Sequence, residues 1–210
     1  MNFIDHPVDN GALAPFLTAS EFVDSDHPAI VAQAAALARG CANDEEVAAV
    51  CFAFVRDQIR HSKDAIADAH NPLTCRASDV LAERTGYCYA KSHLLAALLR
   101  ANGIPAALMY QRLSTGDRGA PYCLHGLNAV YLKQHGWYRA DARGNKPGVD
   151  ARFTPPREQL AFALQDANER DFPDLWVAPM ARVVDALLSH ASVAEVAANL
   201  PDLLPDLAPD

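Results

Sequence analysis

The residues best suited to chemistry in this chain are a cysteine, a histidine and an aspartate in that order: Cys88, His125 and Asp141. A thiol attacks as its thiolate, and it needs a base within reach and a third group to hold that base. Cys88 opens an apolar run containing Leu94, Leu95, Leu98 and Leu99 at helical spacing. In the first turn of that helix the dipole's partial positive charge favours thiolate. Gly86 lets the backbone approach closely there. The Cys88 N–H, unpaired in a first turn, can face a developing oxyanion. Tyr87 and Tyr89 flank the thiol and are candidate walls of a substrate cleft.

The position of the other two residues follows from a hairpin count. His125 begins a run reading His-Gly-Leu-Asn-Ala-Val-Tyr-Leu, and Trp137 begins a second strand that ends near Asp141. With residues 133–135 as the loop, 132 pairs with 136 and 127 with 141. His125 and Asp141 are then diagonal neighbours on one sheet face, about 7–8 Å apart along the backbone and within side-chain reach. A slip of one residue would put them on opposite faces. Asp141 in this register can hold the imidazole's tautomer, and the imidazole can activate Cys88.

The elements that must position these groups are legible at several points. Asp26 is a plausible N-cap and Pro28 a first-turn residue for a helix that stops at Gly40. Asn43 with Glu46 starts a second helix over about 44–60, whose Val47, Val50, Cys51, Phe54 and Val55 form an apolar stripe. Residues 61–77 read as loop, and Ser78 as the cap of a short helix to Arg84. The Cys88 helix ends at Gly103-Ile104-Pro105. Ala106–Leu113, Cys123–Leu132 and Trp137–Ala142 read as strands. Helices are expected at about 156–168, 180–191 and 192–199. The lead-in over 1–26 reads as irregular, with a short element near Ala12–Phe22, and the tail Pro201–Asp210 as frayed. No repeat or linker divides the chain, so one domain is expected over 1–210, with its core at about 27–170 and a C-terminal helical extension over 171–210.

Composition limits the function. The chain has 210 residues, 50% hydrophobic, and a net charge of −8. That length and apolar content support a packed core without staples. The negative balance argues against nucleic acid or an anionic membrane as partner. No basic start followed by an apolar stretch reads as a secretory leader, and no run of 18 apolar residues spans a membrane. The five cysteines, 41, 51, 75, 88 and 123, are an odd and irregularly spaced set. Reduced thiols in a cytoplasmic protein are the simplest reading. Cys75, Cys123 and His125 fit no paired-ligand zinc spacing, so no metal and no cofactor is expected. Cys41 and Cys51 read as packing residues, Lys91 and His93 as solvent-facing, and Asn128 as a strand position facing solvent or a neighbour.

Thr85-Gly86-Tyr87-Cys88-Tyr89-Ala90-Lys91, followed by Leu94 through Arg100-Ala101-Asn102-Gly103-Ile104-Pro105-Ala106, resembles the core signature of the transglutaminase-like superfamily. His125 in Leu-His-Gly-Leu-Asn-Ala-Val and Asp141 in Trp-Tyr-Arg-Ala-Asp-Ala match its later motifs in order, and Phe54–Arg60 resembles its upstream helix. The resemblance implies a papain-like α+β fold and a catalytic triad of Cys88, His125 and Asp141. The family's oxyanion-stabilising Trp lies upstream of its cysteine, whereas Trp137 and Trp176 both lie downstream here. Gln58 and His61 are therefore the candidates for a side-chain donor.

The resemblance further implies acyl transfer through a thioester on a peptide, protein or amide substrate. Resolution by water would make the chain a peptidase or amidase, and resolution by an amine a crosslinker. An arylamine N-acetyltransferase is a second enzymatic reading, since Arg84-Thr85-Gly86-Tyr87-Cys88 partly matches its Arg-Gly-Gly-x-Cys. The reading from a different class is a binding or scaffold protein with the triad unused. Oligomeric state is not legible in the sequence.

Overall fold

In the computed structural model, residues 13–116 and 118–204 are described. A 3₁₀ turn over Ala14–Leu17 is followed by helices α1 (Pro28–Leu37) and α2 (Asp44–Gln58). Strand β1 (Arg60–His61), a 3₁₀ turn over Ser62–Ala65, α3 (Ala77–Glu83), β2 (Thr85–Gly86) and α4 (Cys88–Ala101) come next. Strands β3 (Ala106–Ser114), β4 (Tyr122–Leu132), β5 (Gly136–Ala140), β6 (Arg152–Thr154), β7 (Arg157–Gln159) and β8 (Arg170–Asp171) precede α5 (Ala181–Leu188) and α6 (Val193–Ala198). No described helix is long and apolar enough to cross a membrane.

The main sheet is antiparallel, in the order β5-β4-β3-β8. Helix α4 is its spine: every residue from Cys88 to Arg100 is buried, between the sheet on one side and α1, α2 and α3 on the other. A helix enclosed all round can be apolar all round, which is why its leucines and alanines show no clean solvent face. Its C-terminus closes as a Schellman motif: Ile104 N–H donates to Leu99 O at 3.0 Å and Gly103 N–H to Arg100 O at 2.9 Å. Gly103 carries the required positive φ of 74°. The buried Arg100 guanidinium donates to Ala106 O, Thr18 O and Val177 O, so it ties strand and lead-in to the helix end.

The β4–β5 register is Leu132↔Gly136 and Asn128↔Ala140, the one counted from the sequence. The Asn43 cap of α2 also holds, with its side chain accepting from Glu46 N–H at 2.9 Å. Other expectations are corrected. His27, not Asp26, caps α1. Ser78 is not a cap: α3 begins at Ala77, and Ser78 N–H donates to Asp24 Oδ1. Residues 60–65 contain β1 and a 3₁₀ turn, with β1 pairing parallel to Thr85–Gly86. The helix expected at 156–168 is absent. Pro155-Pro156 instead connects β6 to β7, and the chain continues extended toward Ala161. Lys91 and His93 are buried rather than solvent-facing, because the whole first half of α4 lies under other elements, and Asn128 on β4 faces its neighbours, its amide donating to Ser92 O and Ala107 O. Cys51 is buried and Cys41 half-buried. Through Leu203 the tail is packed: Leu203 is buried and Asp202 pairs with Arg112. Residues 1–12, which hold the start read for a leader, and the last tail residues, 205–210, lie outside the described residues.

Candidate active site

Cys88 is the first residue of α4 and lines a cleft of about 470 Å³ together with His61, His125, Arg143, Phe162 and Leu200. The cleft opens where β5 stops. Among the described residues, the edge of β4 beyond Asn128 has no strand partner on that side. Gly126 N–H donates to Cys88 Sγ at 3.5 Å, and Leu124 N–H to Pro201 O at 2.7 Å. Gly126 is also required by space: a Cβ there would lie 3.0 Å from Tyr89 Cα and 3.2 Å from Tyr89 N. The sheet can therefore reach the start of α4 only with glycine at this position.

His125 and Asp141 meet as the register requires, with Nε2 and Oδ2 2.8 Å apart. Asp141 is fully enclosed and oriented by two more donors, Ala161 N–H on Oδ2 at 3.0 Å and Arg143 N–H on Oδ1 at 3.1 Å. Burial alone would lower the imidazole's pKa, but the Asp141 carboxylate and Cys88 outweigh it and raise it to about 10. Burial would raise the Asp141 carboxyl, yet the facing His125 holds it below its ordinary value. Both directions describe one ion pair. Since Nε2 faces Asp141, Nδ1 is the nitrogen left for the thiol, and a Cys88–His125 hydrogen bond contributes to the raised value. Phe162 stands edge-on to the ring, centroids 5.1 Å apart, and shields the pair from water.

His61 lies on the opposite wall. Its Nε2 accepts the Cys88 N–H at 3.2 Å, so that amide is engaged rather than unpaired as the first-turn reading supposed. Burial drives His61 well below its ordinary pKa, with Arg143 adding to the effect. Gln58 is corrected: it is exposed at the end of α2 and does not line the cleft. Tyr87 and Tyr89 do line it, but their hydroxyls are engaged by Val193 O and Leu124 O, so the rings form its floor. Among the described residues, no three His, Cys, Asp or Glu side chains gather as a metal site.

Several contributors were missed from the sequence. Arg143 holds Asp141 through its amide, and its guanidinium pairs with Asp64, which also binds Lys146. Ala161 and Phe162 were assigned to a helix. The Pro-Pro pair between residues of strand character was the signal available for the hairpin that delivers them. The buried Lys91 donates to Ile59 O and Arg56 O, at the end of α2 just before His61. Its burial pushes its pKa down to about 7.

A helix-borne cysteine beside a His–Asp pair on an antiparallel sheet defines a cysteine-based enzymatic fold of the papain-like kind. The family model of the transglutaminase-like superfamily matches residues 31–142, more than half of the chain, and the chain belongs to that superfamily. Among solved structures it is similar to a candidate cysteine protease from Cytophaga hutchinsonii, with 24% identity and a TM-score of 0.52 over 65% of this chain and 43% of that one. It is also similar to the periplasmic domain of TgpA from Pseudomonas aeruginosa, with 20% identity and a TM-score of 0.47 over 64% and 48%. The match thus spans less than half the length of these structures. No curated protein matches the chain.

Proposed function

We propose that this protein is a thiol acyl-transfer enzyme acting on amide bonds of a peptide, protein or small amide. Cys88 is the nucleophile, His125 the base and then the acid, and Asp141 the group that orients and charges His125. The observation that carries this reading is the His125–Asp141 contact of 2.8 Å, which engages Nε2 and leaves Nδ1 as the ring nitrogen available to a thiol. In the first half-reaction Cys88 sulfur bonds to the substrate carbonyl carbon, and the departing amine takes its proton from His125. The thioester is then resolved by water, which makes the enzyme a peptidase or amidase, or by a second amine, which makes it a crosslinker.

Intact-mass analysis after incubation with a peptide and amide library tests the reading. An acyl adduct on the wild type that is absent from Cys88→Ser is expected. Burial pushes the thiols of Cys51, Cys75 and Cys123 up to about 12. At neutral pH iodoacetamide should therefore label Cys88 well ahead of those three. No adduct, together with Cys88 labelling no faster than they do, would support a scaffold with an unused triad.

A further inference from the structure

The edge of β4 beside the nucleophile is filled by the chain's own C-terminal segment. Leu124 and Gly126 are alternate residues of one strand, so their N–H groups face the same edge. Gly126 N–H donates to Cys88 Sγ at 3.5 Å, and Leu124 N–H donates to Pro201 O at 2.7 Å. The Leu124 carbonyl is engaged as well, accepting from the Tyr89 hydroxyl. An extended peptide laid along this edge past Cys88 finds both backbone groups of Leu124 taken. It also meets Leu200, which lines the cleft, and Pro201 in its path.

This segment crosses from one wall of the cleft to the other and is tied at both ends. On the His61 side, α6 packs against the Ser62–Ala65 turn, and Val193 O accepts from the Tyr87 hydroxyl at 2.7 Å. On the His125 side, the Asp202 carboxylate accepts from Nε and Nη2 of Arg112, each at 2.7 Å, and Asp202 O accepts from Arg182 at 2.9 Å. Arg112 is buried, with its guanidinium 4.0 Å from the centre of the Tyr122 ring, and Leu203 is buried beside it in sequence. A bidentate pair of this kind fixes orientation as well as adding energy. Segments that swing aside are drawn from those with few buried contacts, and this one has both a buried leucine and an enclosed ion pair. It lies beyond residues 31–142, so it is an addition to the stretch matched by the superfamily model.

We propose that Leu200–Leu203 form a fixed strap that limits substrate length, so that Cys88 acts at chain termini and on small amides and not on the interior of a polypeptide. This rests on the acyl-transfer reading above and adds the substrate class to it. Leu124 is two residues from Gly126, and a strand rises about 3.3 Å per residue, so the strap stands about 7 Å along the edge from the amide that touches the sulfur. That distance holds about two residues of extended substrate on the strapped side of the scissile bond. A longer chain on that side would have to break the Leu124–Pro201 hydrogen bond and displace Leu200. The strap touches none of the reacting groups, so Leu200 and Pro201 select the bond that reaches Cys88 without taking part in its cleavage.

The test compares peptides that differ in whether they have ends. A linear peptide library and its head-to-tail cyclised counterpart are incubated with the wild type. The bond attacked is read by mass spectrometry from the products and from any acyl group left on Cys88. Linear peptides should be attacked only within about two residues of one terminus, and the cyclic ones should stay intact. In the double variant Leu200→Gly, Pro201→Gly, the backbone of the strap is freed while the Asp202–Arg112 pair and Leu203 are kept. Internal cleavage and ring opening should then appear. The milder Leu200→Ala, which only shortens the side chain in the cleft, should raise internal over terminal cleavage even if the double variant fails to fold. Attack on internal bonds or on rings by the wild type overturns the proposal, as does terminal-only attack that persists in the folded variants. A wild-type thiol that is alkylated by iodoacetamide yet yields neither products nor an acyl adduct overturns the acyl-transfer reading itself.

Discussion

The two walls of the cleft each bring one buried imidazole to Cys88, and their surroundings drive the two rings in opposite directions. His125 is raised to about 10, whereas His61 is pushed well below its ordinary value. Burial is nearly the same for both, so burial does not separate them. The difference lies first in one carboxylate, with Cys88 adding to the rise of His125 and Arg143 to the fall of His61. Asp141 touches His125 at 2.8 Å and is itself held by two backbone amides. The nearest carboxylate on the other wall, Asp64, is already taken by Arg143 and Lys146. One wall can therefore hold and release a proton as a cation, while the other offers only the neutral ring's donor and acceptor. A desolvated histidine becomes a base or a neutral hydrogen-bonding group according to whether an unshared carboxylate is within reach.

The largest way to break this contrast is Asp141→Asn. It should lower turnover on the order of 10³–10⁴-fold, since the ring loses both its tautomer lock and its charge partner. The same change has a pH signature. The folded pKa of His125 lies above its ordinary 6.5, so its contribution to stability is complete below 6.5 and is lost as pH rises through about 10. Asp141 lies below its ordinary 3.8, so its contribution is present above 3.8 and is lost as pH falls through its lowered value. The gap in Tm between wild type and Asp141→Asn should be widest between these limits and should narrow toward pH 10.

Gly126→Ala tests the His125 wall by space rather than charge. Its Cβ meets backbone atoms of Tyr89 that cannot rotate away, and overpacking of this kind costs about 1–3 kcal/mol in denaturant unfolding. Retention of full stability would mean that β4 and α4 can part without cost. On the other wall, Lys91→Met removes the donor to Ile59 O next to His61. A loss of about 1 kcal/mol is expected in denaturant unfolding. Smallest is Asp64→Asn. Its carboxylate is a third exposed, so losing its pairs with Arg143 and Lys146 should change stability by less than about 1 kcal/mol, and less still at high salt.

The His125 wall was the more legible of the two. Its hairpin pairs residues close in sequence, so a loop length and a period of two sufficed to place His125 beside Asp141. The Gly103-Ile104-Pro105 exit of α4 was equally local. On the other wall His61 came only as one of two candidates from the family resemblance, because a two-residue strand has no periodicity and pairs parallel with residues 25 positions later, Arg60 with Thr85. Lys91 and His93 looked solvent-facing for a related reason. Polar residues on one helix usually mark its outer face, but here each is matched to a carbonyl from a distant segment, His93 to Cys75 O at 2.8 Å. The error at 156–168 had a different source: extended chain there is held by partners on β5, such as Arg157 O accepting from the Tyr138 hydroxyl.

By itself the sequence determined which thiol could matter, the helix it begins, and the strand register that joins an imidazole to a carboxylate. These depend on caps, turns and periodicities acting over a few residues. The tertiary structure alone decided the electrostatic identity of each buried group. The pKa of an imidazole or an amine depends on what replaces its lost water, and here those replacements come from segments far apart in the chain: Asp141 for His125, the amide of Cys88 for His61, and the end of α2 for Lys91.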